Sequence, residues 1–144
     1  MGPGPAPAGS PPRPATVLGF DYGLRRIGVA VGQPLSRSAS PLAVLPSRDG
    51  APDWPAIAAL IEEWQPQRLL VGLPQPADGT ESELLRRVRR FCRQLEGRFR
   101  LPVATIDERL SSWAAKERTG SPDEPLDAVA AQVILETWLN EEHA

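Results

Sequence analysis

Three acidic residues stand where a chain of alternating strands and helices would place its working groups. Asp21 closes the apolar segment that starts at Val17, Glu108 follows the apolar segment Leu101–Ile106, and Asp127 lies in the first turn of the last helical stretch. Asp107 directly precedes Glu108, and neighbours on a strand alternate in face, so only one of that pair can share a face with Asp21. Carboxylates brought together raise one another's pKa unless a cation neutralises them. Asp and Glu without His or Cys favour hard, oxygen-seeking Mg²⁺ or Mn²⁺. With one Cys and one His in the chain, a zinc finger or a His-based metal site is implausible. The matching chemistry is metal-assisted phosphoryl transfer, in which two ions ~3.5–4 Å apart activate a water and stabilise the leaving oxygen.

Each candidate also has a plainer role. Asp127 can serve as a first-turn acid facing the helix dipole, a contribution of roughly 0.3–1 kcal/mol. Its helical neighbours at +4, +7 and +11 are Ala131, Ile134 and Trp138, an apolar stripe on which an unpaired carboxylate would be costly. Arg86, Arg87, Arg89, Arg90 and Arg93 crowd one helical segment with no acid between Leu84 and Leu95. They form either a solvated face or a phosphate-contacting surface. Arg25 and Arg26 follow Asp21 closely and are further phosphate candidates, while Arg109 either binds phosphate or pairs with Glu108. The net charge of −2 gives no global nucleic-acid signature, so phosphate binding must rest on such local arginines.

The elements that position these groups follow from periodicity. Residues 16–22, 27–33 and 40–46 read as three strands, with a turn short enough for a hairpin between the first two. In the second strand Ile27, Val29 and Val31 alternate with Gly28, Ala30 and Gly32, leaving one face nearly bare for a close-packed neighbour. A helix is expected from Asp53 through Ile57, Leu60, Ile61 and Trp64, then a doubly buried strand at Arg68–Leu73. Thr80 and Glu83 form a capping box for the next helix, whose apolar stripe includes Cys92 as core packing. A fifth strand at 101–106, a short helix around 112–118 and a last helix from about Asp123 to Glu141 complete the order. The result is an α/β fold: an antiparallel meander plus two parallel strands in a mixed five-stranded sheet flanked by helices. In such sheets, sites gather at the carboxyl ends of the parallel strands. Residues 1–16, rich in Pro, Gly and Ala, read as a disordered tail before one domain at 17–144. The lone Cys suits a reducing cytoplasm, and no apolar run is long enough for a membrane helix.

The first motif, Gly19-Phe20-Asp21-Tyr22-Gly23 with Gly28, fits neither a dinucleotide fingerprint nor a Walker A loop. It could be the phosphate hairpin of an actin-like or sugar-kinase ATPase, but those close two lobes around ATP and this length allows one. Four motifs together are more specific: GFDYGLRRIGVAV at 19–31, VGLP at 71–74 with DGTE at 78–81, DERLSS at 107–112, and DAVAAQVIL at 127–135. In that order and spacing they resemble the YqgF family, also called RuvX, over roughly residues 16–141. The resemblance implies a ribonuclease H-like fold related to RuvC resolvases. It also implies a nuclease linked to maturation of the 5′ end of pre-16S rRNA, in a family earlier described as Holliday junction resolvases. By motif position the family's acids fall on Asp21, Glu108 and Asp127. Asp78 could add a metal or substrate contact, or simply serve its Asp-Gly turn. The expected partner is nucleic acid, with precursor rRNA favoured and branched DNA the alternative, acted on by a monomer or homodimer. A non-catalytic RNA- or ribosome-binding module is the reading from a different class.

Overall fold

A computed structural model of the chain describes residues 15–74, 82–107 and 126–141, without the side chains of 126 and 127. Its elements are β1 (Val17–Asp21), β2 (Arg26–Gln33), β3 (Ser38–Arg48), β4 (Ala51–Pro52), α1 (Trp54–Trp64), β5 (Arg68–Leu73), α2 (Glu83–Phe99), β6 (Val103–Asp107) and α3 (Leu126–Glu141). The strands form one mixed sheet in the order β4-β3-β2-β1-β5-β6. As expected, β1, β2 and β3 make an antiparallel meander, and β5 and β6 run parallel to β1.

The sheet has six strands where periodicity predicts five. The addition, β4, is two residues long and pairs with the end of β3 through Ser47↔Pro52 and Arg48↔Ala51. No alternation can announce so short a strand. It forms because Asp49 (φ 51°) and Gly50 (φ 84°) are both left-handed and reverse the chain in two residues.

Two apolar layers hold the sheet. On one face Leu18, Phe20, Val29, Leu69 and Val71 pack with Ile57 of α1 and with Val88, Phe91, Cys92 and Leu95 of α2. On the other, Val17, Ala30, Leu70 and Ile106 pack with Ala131, Ile134, Leu135, Trp138 and Leu139 of α3. Each Val, Leu, Ile or Phe among them, fully buried, contributes about 1.5–3 kcal/mol. Strand β5 feeds both layers, which accounts for its unbroken apolar run. The bare face of β2 is taken by α3, because its small residues let the helix lie close. A Cβ on Gly32 would stand 2.8 Å from Leu135 Cδ2.

Local signals set most helix ends. The Asp53 carboxylate accepts from Ala56 N–H at 3.2 Å and caps α1, and Gln65 closes that helix in a left-handed conformation. For α2 the cap is Ser82 rather than Thr80, with Leu85 N–H donating to Ser82 Oγ at 3.0 Å. The shift places Glu83 at the first helical position, where it reaches Arg86 and Arg87 one turn on. The expected short helix at 112–118 and the stretch from Asp123 to the start of α3 lie outside the described residues. None of the described helices is long and apolar enough to cross a membrane.

Candidate functional site

The carboxyl ends of β1, β5 and β6 lie along one edge of the sheet. Register puts Asp21 opposite Gly28, Phe20 beside Val71, and Leu73 beside Asp107. Because Val17 packs in the α3 layer and Gly19 lies beneath Ala131 and Leu135, Asp21 shares the α3 face by alternation. Its side chain is half-buried there.

Helix α3 runs antiparallel to β1 over this face. Gly32, the partner of Val17, lies against Leu135 and Leu139, whereas Gly19 lies against Leu135 and the Ala131 carbonyl. One further step along β1 reaches Asp21, and one further turn towards the helix start reaches Asp127. The two steps match, since four helical residues rise ~6 Å and two strand residues ~6.7 Å. The backbone thus brings Asp127 and the positive end of the α3 dipole to the end of β1.

Asp107 behaves as the alternation rule requires. Ala104 and Ile106 pack in the α3 layer, so Asp107 takes the opposite face. It also lies two strands from Asp21, ~10 Å along the sheet. The next residue, Glu108, lies outside the described residues, as do Arg109 and Asp78. Among the described residues no group of three or more His, Cys, Asp and Glu converges.

The arginines divide between surfaces. Arg25 sits in the β1–β2 turn and Arg26 is exposed at the start of β2. Arg86, Arg87, Arg90 and Arg93 lie on α2, which packs on the sheet face opposite α3. They therefore do not line the face of Asp21. Glu83 already engages two of them, Arg86 at 2.8 Å and Arg87 at 3.3 Å, and these bonds hold its carboxyl below the usual carboxylate range. Arg87 also donates from Nη1 to the Asp49 carbonyl at 3.0 Å. With Arg90, Tyr22, Trp54 and Gln94 it borders a cleft of about 310 Å³. Sequence reasoning missed Tyr22, whose hydroxyl donates to the Gly50 carbonyl at 2.6 Å, and it missed Arg48. The Asp49-Gly50 dipeptide was the available signal for the turn that both residues serve.

Residues 15–141 match the family model RuvX, described as Holliday junction resolvase. The chain belongs to the RuvX family. Within it, a Hydrogenovibrio crunogenus protein named "Putative pre-16S rRNA nuclease" is 48% identical, covering 90% of this chain and 96% of that protein. A protein of the same name from Pseudomonas paraeruginosa is 51% identical, over 87% of this chain and 92% of its own length.

Solved structures place this RuvX chain on a ribonuclease H-like fold. RuvC of T. thermophilus, in complex with a Holliday junction substrate, superposes with a TM-score of 0.54 at 15% identity, covering 87% of this chain and 93% of that one. The yeast mitochondrial Holliday junction resolvase Ydc2 gives 0.53 at 14% identity, over 90% and 80%. At these identities the likeness speaks for the fold alone. One nucleophile is set aside by its surroundings: Cys92 of this RuvX chain is buried, and burial pushes its thiol up to about 11.

Proposed function

We propose that this chain is a divalent-metal-dependent nuclease that hydrolyses phosphodiester bonds in structured RNA, at the 5′ end of pre-16S rRNA. The observation that supports this reading is the seating of α3 on β1, which directs the first turn of that helix toward the strand end that carries the half-buried Asp21. Close identity to proteins named for pre-16S rRNA cleavage supports the substrate. The cytoplasm is the matching compartment.

In this proposal Asp21, Glu108 and Asp127 form the catalytic set and hold Mg²⁺ or Mn²⁺. An all-carboxylate donor set, without Cys or His, fits such hard cations. When bound, a pair of ions supplies charge neutralisation and water activation for in-line displacement. Asp21 works from a strand end and Asp127 from the first turn of a helix packed tightly on that strand, a rigid scaffold of the kind a pre-organised site needs. Glu108 is the member of the Asp107–Glu108 pair assigned to this set, because Asp107 takes the face opposite Asp21. Arg25, Arg26 and Arg109 flank these acids in sequence and hold phosphates near them, whereas Arg86, Arg87, Arg90 and Arg93 contact the strand further along.

The description of the RuvX family as Holliday junction resolvase favours a second substrate, branched DNA. Symmetric cuts at a junction need two active sites, so a stable dimer would accompany that reading. Purified protein is to be incubated with Mg²⁺ or Mn²⁺, a pre-16S rRNA fragment and a four-way DNA junction at matched salt. Cleavage of the RNA is expected. Cleavage of the junction alone would transfer the assignment to branched DNA, and cleavage of neither would refute the enzyme and leave a binding module.

A further inference from the structure

Three arginines from three separate elements meet beside the sheet edge that ends at Asp21. Arg25 of the β1–β2 turn, Arg48 at the end of β3 and Arg87 of α2 line one cleft of about 560 Å³ with Leu24, Ser47 and Asp49. Only one of those six residues is acidic.

Hydrogen bonds between the turns that carry these residues hold the backbone of the cleft in place. Ser47 N–H donates to the Arg25 carbonyl at 2.9 Å, Gly50 N–H to the Leu24 carbonyl at 3.0 Å, and Ser47 Oγ to the Gly23 carbonyl at 2.9 Å. The β1–β2 and β3–β4 turns are thereby stapled together. Arg87 is tied to the same assembly through its bond to the Asp49 carbonyl. Gly50 makes that approach possible: a Cβ there would stand 2.5 Å from Arg87 Nη1 and 2.8 Å from the Tyr22 hydroxyl. Three guanidinium groups thus border one opening against the Asp49 carboxylate in its wall and Glu83 behind Arg87, an excess of positive charge that favours an anion.

We infer that this cleft is a phosphate-backbone subsite, holding a phosphodiester of the substrate strand at a distance from the bond being cut. The inference rests on the nuclease reading above and deepens it. Tyr22, Gly23 and Leu24 alone separate Asp21 from Arg25, so a strand leaving the acid face crosses the β1–β2 turn directly into the cleft. Guanidinium forks suit this task, because they bind phosphate oxygens in pairs and read no base. The subsite is therefore indifferent to sequence and to the 2′-hydroxyl, and it recruits Arg48, which no sequence motif marks.

The test is binding without cleavage. Full-length protein in EDTA is titrated into labelled single-stranded RNA and DNA oligonucleotides of one sequence, with salt varied between about 50 and 200 mM. For Arg48→Gln the Kd is expected to rise about three- to tenfold on both strands, with the salt slope falling by about 0.7. Arg37→Gln removes the same charge from the exposed β2–β3 turn and is expected to match wild type. Equal affinity and slope for Arg48→Gln and wild type would overturn the subsite, as would an equal loss in Arg37→Gln. Cleavage is scored separately. An active enzyme with unchanged Arg48→Gln binding refutes the subsite alone, whereas the expected binding loss in a protein that cuts nothing refutes the nuclease alone.

Discussion

Leu135 sits directly over Gly19, so closely that a Cβ on the glycine would be 3.2 Å from Leu135 Cβ. The same leucine fills the space over Gly32, where a Cβ would be 2.8 Å from its Cδ2 and 3.0 Å from its Cγ. One side chain thus seats in a notch made by glycines on two neighbouring strands. That seating sets the height of α3 above β1, and with it the position of Asp127 relative to Asp21.

Gly32→Val should therefore lift α3. Overpacking of this kind costs about 1–3 kcal/mol, readable as a lower urea midpoint at an unchanged slope. Cleavage by the folded variant is expected to fall as well, because the start of α3 moves away from the end of β1. Wild-type stability and activity in Gly32→Val would show that α3 does not depend on the bare face.

The N-terminus of α2 offers a test of a different kind. Ser82→Ala removes the side-chain acceptor for Leu85 N–H and is expected to cost about 1 kcal/mol in chemical denaturation. A loss of less than a few tenths would mean that another residue supplies the cap.

Cys92 carries a pH signature. Burial raises its thiol from an ordinary value of 9.0 to about 11, with the Glu96 carboxylate adding to the shift. A raised folded-state pKa gives stability that is fully present below pH 9 and lost as pH climbs towards 11. The native thiol is expected to resist alkylation at neutral pH and to react once the chain is unfolded. Equal labelling rates in the native and unfolded states would contradict this burial.

Much of this architecture is legible in the residues because its signals are local. Alternation along 27–33 marks both the strand and its bare side, and the apolar run at 68–73 marks a strand with two covered faces. Alternation likewise admits only one of Asp107 and Glu108 to the face of Asp21, and the packing of Ala104 and Ile106 under α3 turns Asp107 away. What escapes is decided by tertiary contact. Thr80 and Ser82 are both capping residues, and only the seating of α2 selects the second. Strand β4 exists only because a left-handed pair at Asp49 and Gly50 folds it back on β3. Arg48 lies 23 residues from Arg25 and 39 from Arg87 along the chain, so only folding brings the three to one cleft.

The central claim is that carboxylates at the end of β1 and the start of α3 perform the cleavage. Asp21→Asn tests it most directly, since it removes the charge while keeping the shape. Single-turnover cleavage of the pre-16S rRNA fragment, with circular dichroism to verify folding, is expected to slow by at least about a hundredfold. Cleavage by folded Asp21→Asn at the wild-type rate would contradict the account.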